Sequence, residues 1–106
     1  MSAFIMIIKP DLALQSVVLR LPILETEVDG EVVALDIGKG HWYGLNKTGS
    51  AIWNMIAAPL SVDAICTQLL ATYEIDRATC ERQVRELLLD LLRNGLIELI
   101  APDHGA

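Results

Sequence analysis

Residues 28–53, VDGEVVALDIGKGHWYGLNKTGSAIW, decide the fold. Asp29-Gly30 is a strong hairpin signal, because a type I′ turn needs positive φ at both central residues. Before it, ILETEV (23–28) alternates Ile23, Glu25 and Glu27 against Leu24, Thr26 and Val28, the period-two pattern of a half-buried strand. After it, EVVALDI (31–37) is a second strand, expected to place Val33, Leu35 and Ile37 on one face. GKG turns the chain again, and HWYGL (41–45) is a third strand. The pattern predicts a three-stranded antiparallel meander that ends on an edge strand. Both tryptophans and one of the two tyrosines lie between His41 and Trp53, where that strand gives way to an apolar helix.

Three helices follow. Asn46 or Thr48 caps the first, which carries Ile52, Trp53 and Ile56 on one stripe and ends near Ala58-Pro59. Ser61 caps the second, with Asp63 in its first turn. Val62, Ile65, Cys66, Leu69, Leu70 and Tyr73 recur at the spacing of a buried helical face. Asp76 caps the third and longest, DRATCERQVRELLLDLLRNG, which Gly95 stops. LIELI (96–100) returns as a short strand. The fold expected is α+β: a three-stranded antiparallel β-meander, then three helices, similar to a winged helix-turn-helix. Residues 1–22 stand apart. Pro10 and Pro22 bracket DLALQSVVLRL, whose Val17, Val18 and Leu19 suit an extra strand or an arm. Residues 101–106 form a C-terminal tail.

A chain of 106 residues has room for one core. Its 53% hydrophobic content and mean hydropathy of +0.43 are high for a small domain, which points to surface covered by a partner. The formal charge of −6 argues against nucleic acid, since phosphate contacts need clustered Lys and Arg. Cys66 and Cys80 fall on apolar helix faces without C-x-x-C spacing and read as reduced core thiols. The opening MSAFIMIIKPD has an apolar run too short for a signal peptide or a membrane span, so a cytoplasmic protein is expected.

Catalytic chemistry needs titratable groups brought together, and few are offered. His41 and His104 are the only histidines, and neither has a second ligand at metal-binding spacing. GKGHWYG lacks the spacing of a phosphate loop, and no helix opens from it. The carboxylates at 25, 27, 29 and 31 read as the solvated face and turn of a hairpin. No nucleophile has a base beside it. We expect no catalytic residue, no metal site and no cofactor, and hence no enzyme.

The third helix has two apolar faces. Cys80, Val84, Leu87, Leu88 and Leu91 cluster on a helical wheel and are expected in the core. Leu89 falls beside Ala78, Arg82 and Arg85, with Leu92 at the border. This second strip either widens the core or lines a groove for a peptide. Along the helix Arg77, Arg82, Arg85 and Arg93 meet Asp76, Glu81, Glu86 and Asp90, so the charge of a DNA-recognition helix is missing.

The hairpin, the LD…G…YGLN strand, the N-x-T-G-x-x-I-W helix start and the LxxLxxxGLI ending span residues 23–100. In that order they resemble the PqqD-like peptide chaperones, also called RiPP recognition elements. The resemblance implies non-catalytic binding of a precursor's leader peptide, as an antiparallel strand added to the third strand and docked against the third helix. It maps the site onto His41, Trp42, Tyr43, Gly44 and Leu45, with a helix wall of Arg82, Arg85, Leu89 and Leu92. Leu45 is expected to anchor the core, while Trp42 and Tyr43 stand at the groove or its rim. The implied partners are the leader peptide and a modifying enzyme, either a leader protease with a cyclase or a radical SAM enzyme, and the strand motif looks closer to the lasso-peptide type. Residues 1–22 have no counterpart in that pattern; they are expected to add a strand, mediate a homodimer or fill the groove as a stand-in leader. The alternatives are a winged-helix DNA-binding regulator and a structural or oligomerising subunit.

Overall fold

Asp29 and Gly30 both take positive φ, 53° and 82°, and close the type I′ hairpin that their sequence demands. The computed structural model describes residues 12–100. The hairpin joins β2 (Leu24–Val28) to β3 (Glu31–Asp36), and a second turn leads to β4 (His41–Gly44). All pairs are antiparallel and the order is β2-β3-β4. Three helices follow: α1 (Lys47–Met55), α2 (Val62–Thr72) and α3 (Arg77–Arg93). The expected α+β order of meander and helices holds, and the likeness to a winged helix is one of arrangement.

A second small sheet completes the domain. β1 (Val17–Arg20) lies between β5 (Leu60–Ser61) and β6 (Ile97–Ile100), antiparallel to both. Val18 is fully buried, and Leu12, ahead of the strand, joins the core. The carbonyls of Leu14 and Ser16 accept the backbone N–H groups of Asp63 and Val62 at 2.9 Å, which satisfies orphan donors at the start of α2. Residues 1–11 and 101–106, which include His104 and the apolar opening run, lie outside the described residues.

The caps follow the sequence. The side chains of Asn46, Ser61 and Asp76 accept from Gly49, Ala64 and Thr79 N–H respectively, so Asn46 rather than Thr48 starts α1. Gly95 stops α3 at φ 73°. Trp53, Ile56, Ile65, Leu88 and Leu91 fill the core between the helices and the meander. Tyr73 is not on the buried face of α2; it caps the helix C-terminus and stays 41% exposed. Cys66 and Cys80 are free, buried thiols, and burial followed by the neighbouring Cys80 pushes Cys66 up to about 11. Among the described residues no helix is long and apolar enough to cross a membrane.

The meander turns its other face inward. Val32 and Ala34 are the buried residues of β3, whereas Ile37 is 75% exposed and Leu24 and Val28 are more than half exposed. Register sets which face is inward. Leu45 is buried and its N–H bonds the Val32 carbonyl at 2.8 Å, so Val32 shares its face, and a one-residue offset sends Val33 and Leu35 outward. Val33, Leu35 and Ile37 do share one face of the alternation, and it is the face opposite the buried Val32 and Ala34. Leu24, Leu35 and Trp42 stand in one cross-strand row on the outward face.

Glu25 departs from its expected place on a purely solvated face. Its Oε1 accepts the Trp53 indole N–H at 2.8 Å and pairs with Arg20 at 3.1 Å. The Arg20 guanidinium lies 5.4 Å from the Trp53 ring centre. These three side chains fasten β1, β2 and α1 together.

Candidate functional site

β4 is paired with β3 on one side only; among the described residues no strand covers the other. The Leu45–Val32 hydrogen bond fixes which groups face that open side. In an antiparallel ladder hydrogen-bonded pairs alternate, so Tyr43 and His41 also turn their main-chain groups toward β3. Trp42 and Gly44 turn theirs outward. The open edge therefore offers the N–H and C=O of Trp42 and Gly44 to an incoming chain. A side chain at Gly44 would meet nothing within 4 Å, so the edge is unobstructed there.

The edge is held in place at both ends of β4. Ser50, only 3% exposed, accepts the Val32 N–H at 2.8 Å and donates to the Leu45 carbonyl at 3.3 Å, which extends the ladder through the first turn of α1. Further along, the Tyr43 hydroxyl donates to the Asp90 carboxylate of α3. Burial, that hydrogen bond and the Asp90 charge together push Tyr43 up to about 12.

Asp90 identifies the face of α3 that lines the groove. Gln83, Leu87, Asp90 and Asn94 recur at helical spacing along one stripe. Gln83 and Leu87 line a hollow of about 480 Å³ with Asn46, Ile52, Leu69 and Ile75, at the Leu45 end of β4. Asn94 and Arg93 line a smaller hollow of about 170 Å³ with Lys39, His41 and Tyr43, at the other end. Along α3 the two hollows flank Asp90, one beside Leu87 and Ile52 and the other beside Lys39 and Arg93. Among the described residues no group of three or more His, Cys, Asp or Glu is placed to hold a metal.

Of the residues expected at the site, the structure puts His41, Tyr43 and Leu45 on the inner face of β4. Leu45 is the core anchor, and Tyr43 reaches α3. Trp42 points outward and is 69% exposed; Gly44 is exposed beside it. The helix residues fall elsewhere. At 100° per residue, Arg82, Leu89, Arg85 and Leu92 stand about 80°, 100°, 140° and 160° around the axis from Asp90. Arg82 is exposed to solvent. Arg85 donates from Nε to the Leu12 carbonyl at 2.6 Å and lies 3.5 Å from Glu81, while Leu89 and Leu92 are half-buried against the core. The Leu12 carbonyl lies on that side of α3, which is turned away from the Tyr43–Asp90 side. Leu87, expected in the core, packs against it half-buried and also lines the larger hollow. The signal for this wall was present: an aspartate inside LLLDLL, on one stripe with Leu87 and Gln83.

Residues 31–97, more than half of the chain, match the family model described as coenzyme PQQ synthesis protein D (PqqD). The fold is similar to TbiB1 in complex with the TbiA(beta) leader peptide, with 30% identity and a TM-score of 0.71 over 79% of this chain and 99% of that one. It is also similar to a lasso peptide synthetase B1 complexed with the leader peptide, with 27% identity and a TM-score of 0.69 over 76% and 96% of the two chains. No curated protein matches the sequence. The meander, the capped helices and these similarities together make the chain a member of the PqqD family.

Proposed function

We propose that this protein binds the leader peptide of a ribosomally made precursor and presents it to modifying enzymes, without doing chemistry itself. The observation that carries the reading is the open edge of β4, fastened to α3 by Tyr43 and Asp90 with a groove on either side of that bridge. An added antiparallel strand bonds the main chain of Trp42 and Gly44, and its alternate side chains face Gln83, Leu87 and Asp90. Main-chain bonds give affinity and the hollows give specificity. Two similar chains, each bound to a leader peptide, support it, and one of them favours the lasso-peptide type of pathway. The matching partners are a leader protease with a cyclase, or a radical SAM enzyme, and the site of action is the cytoplasm, where the precursor is made.

The residues assigned to binding are His41, Trp42, Tyr43, Gly44 and Leu45 on β4, with Gln83, Leu87, Asp90 and Asn94 as the helix wall. Arg85 is engaged instead by the Leu12 carbonyl, and Leu89 and Leu92 pack against the core. No observation favours duplex DNA: the groove wall carries Asp90, and the formal charge is −6. Titrating a labelled leader peptide, encoded beside the gene for this chain, tests the reading. Saturable binding on the order of 10 μM or tighter supports it, and no binding to the folded protein removes it.

A further inference from the structure

The hollow at the His41 end of β4 has a charge that strand addition alone does not explain. Eight Lys and Arg face fourteen Asp and Glu in the chain, yet only three of the seven described cations are in an ion pair. Arg20 meets Glu25, Arg77 meets Asp63 and Glu81, and Arg85 meets Glu81. Lys39 and Arg93 make no ion pair among the described residues, yet both line this hollow together with His41. Asp36 is the one carboxylate on its wall, and its Oδ1 accepts the Lys39 backbone N–H at 3.2 Å. The nearby Asp90 is engaged by the Tyr43 hydroxyl. Lys39 Nζ lies 3.6 Å from where a Cβ on Gly95 would stand, so both cations sit at the C-terminal end of α3, where the helix dipole favours them. That accounts for their place but supplies neither with a carboxylate.

We propose that this hollow receives an acidic side chain, Asp or Glu, of the bound peptide. The proposal rests on the strand-addition reading and assigns a specificity to one end of the groove. His41, Tyr43 and Leu45 share the inner face of β4, so peptide residues standing across from them turn their side chains toward α3. In an antiparallel peptide the residue across from His41 is the C-terminal one of the three. Its side chain meets Lys39, His41 and Arg93, while the earlier two meet Leu87 and the apolar hollow beside Ile52. The groove therefore selects apolar side chains followed, on the same face, by an acid. It also reads chain direction, because a reversed peptide would set its carboxylate against Leu87 and Ile52 without a partner.

The test selects peptides on the full chain from a displayed library of random linear sequences, and retests the winners as synthetic peptides. The expected winners carry Asp or Glu at one fixed place, two and four residues after apolar positions. Exchanging that acid for Lys in the peptide lowers affinity about tenfold or more, and the loss shrinks at high salt. The double variant Lys39→Glu/Arg93→Glu reverses the preference, and its melting curve shows whether it folds. The exchange on the peptide side needs no variant protein at all. Winners that depend on the β4 edge, lost with Gly44→Pro, but tolerate Lys in place of the acid overturn this proposal and leave strand addition standing. Selection of no peptide, or of peptides indifferent to Gly44→Pro, overturns both.

Discussion

The Tyr43 hydroxyl donates to the Asp90 carboxylate, a bond that ties an edge strand to the longest helix across forty-seven positions of sequence. It fixes the width of the groove that β4 and α3 share. Tyr43→Phe keeps the ring and removes the donor, at a cost of about 1 kcal/mol in unfolding free energy, read by urea denaturation. Asp90→Asn gives a similar loss.

The same bond sets a pH dependence. Tyr43 is raised from 10.0 to about 12 in the folded protein, so its protonated form is favoured by folding. A raised pKa contributes stability that is fully present below the unfolded value and lost as pH climbs through the folded one. The stability gap between the wild type and Tyr43→Phe should close between about pH 10 and pH 12. A gap that stays constant across that window contradicts the assignment.

Ser50 is a second fastening. Ser50→Ala leaves the Val32 N–H and the Leu45 carbonyl without partners in a buried site, at a cost of about 1–3 kcal/mol. Denaturation midpoints measure it, and amide exchange at Val32 should speed up at the same time. Unchanged stability would show that water replaces the hydroxyl.

The two sides of α3 should separate in mutagenesis. Leu87→Glu, on the groove wall, is expected to weaken leader binding about tenfold or more. Arg85→Ala, which removes the bond to the Leu12 carbonyl, is expected to leave affinity within about twofold while lowering stability by about 1 kcal/mol. Calorimetric titration with parallel melting curves distinguishes the two, and a large loss of affinity in Arg85→Ala would return the site to the other face.

These contrasts show what was legible in the sequence. Asp29-Gly30, the caps Asn46, Ser61 and Asp76, and the terminator Gly95 are local signals, and local backbone chemistry decides them. Which face of a strand is buried is a tertiary matter: Val33, Leu35 and Ile37 outweigh Val32 and Ala34 in size, yet the bond from Leu45 to Val32 sets the register. The helix wall is a related case. Leu89 and Arg85 read as an uncovered strip, whereas Arg85 bonds the carbonyl of Leu12, which is distant in sequence, and Leu89 packs against the core. Tyr43 and Trp42 were interchangeable on paper; alternation along β4 gives the groove to Tyr43 and the outward face to Trp42.

Proline at the open edge probes the main chain directly. Gly44→Pro removes a donor that faces away from β3, so the meander keeps its ladder. Leader affinity should fall about tenfold or more, while Gly44→Ala, which keeps the N–H and has open space for its methyl, should bind as the wild type does. Equal affinities for the two variants would mean that Gly44 N–H takes no part.

The central claim is that a peptide completes the sheet at β4. Residue-resolved amide exchange, with and without saturating leader peptide, measures that. The account predicts new protection at the amides of Trp42 and Gly44 and little change at Tyr43, whose N–H already bonds β3. Saturable binding with no added protection at Trp42 and Gly44 would contradict it.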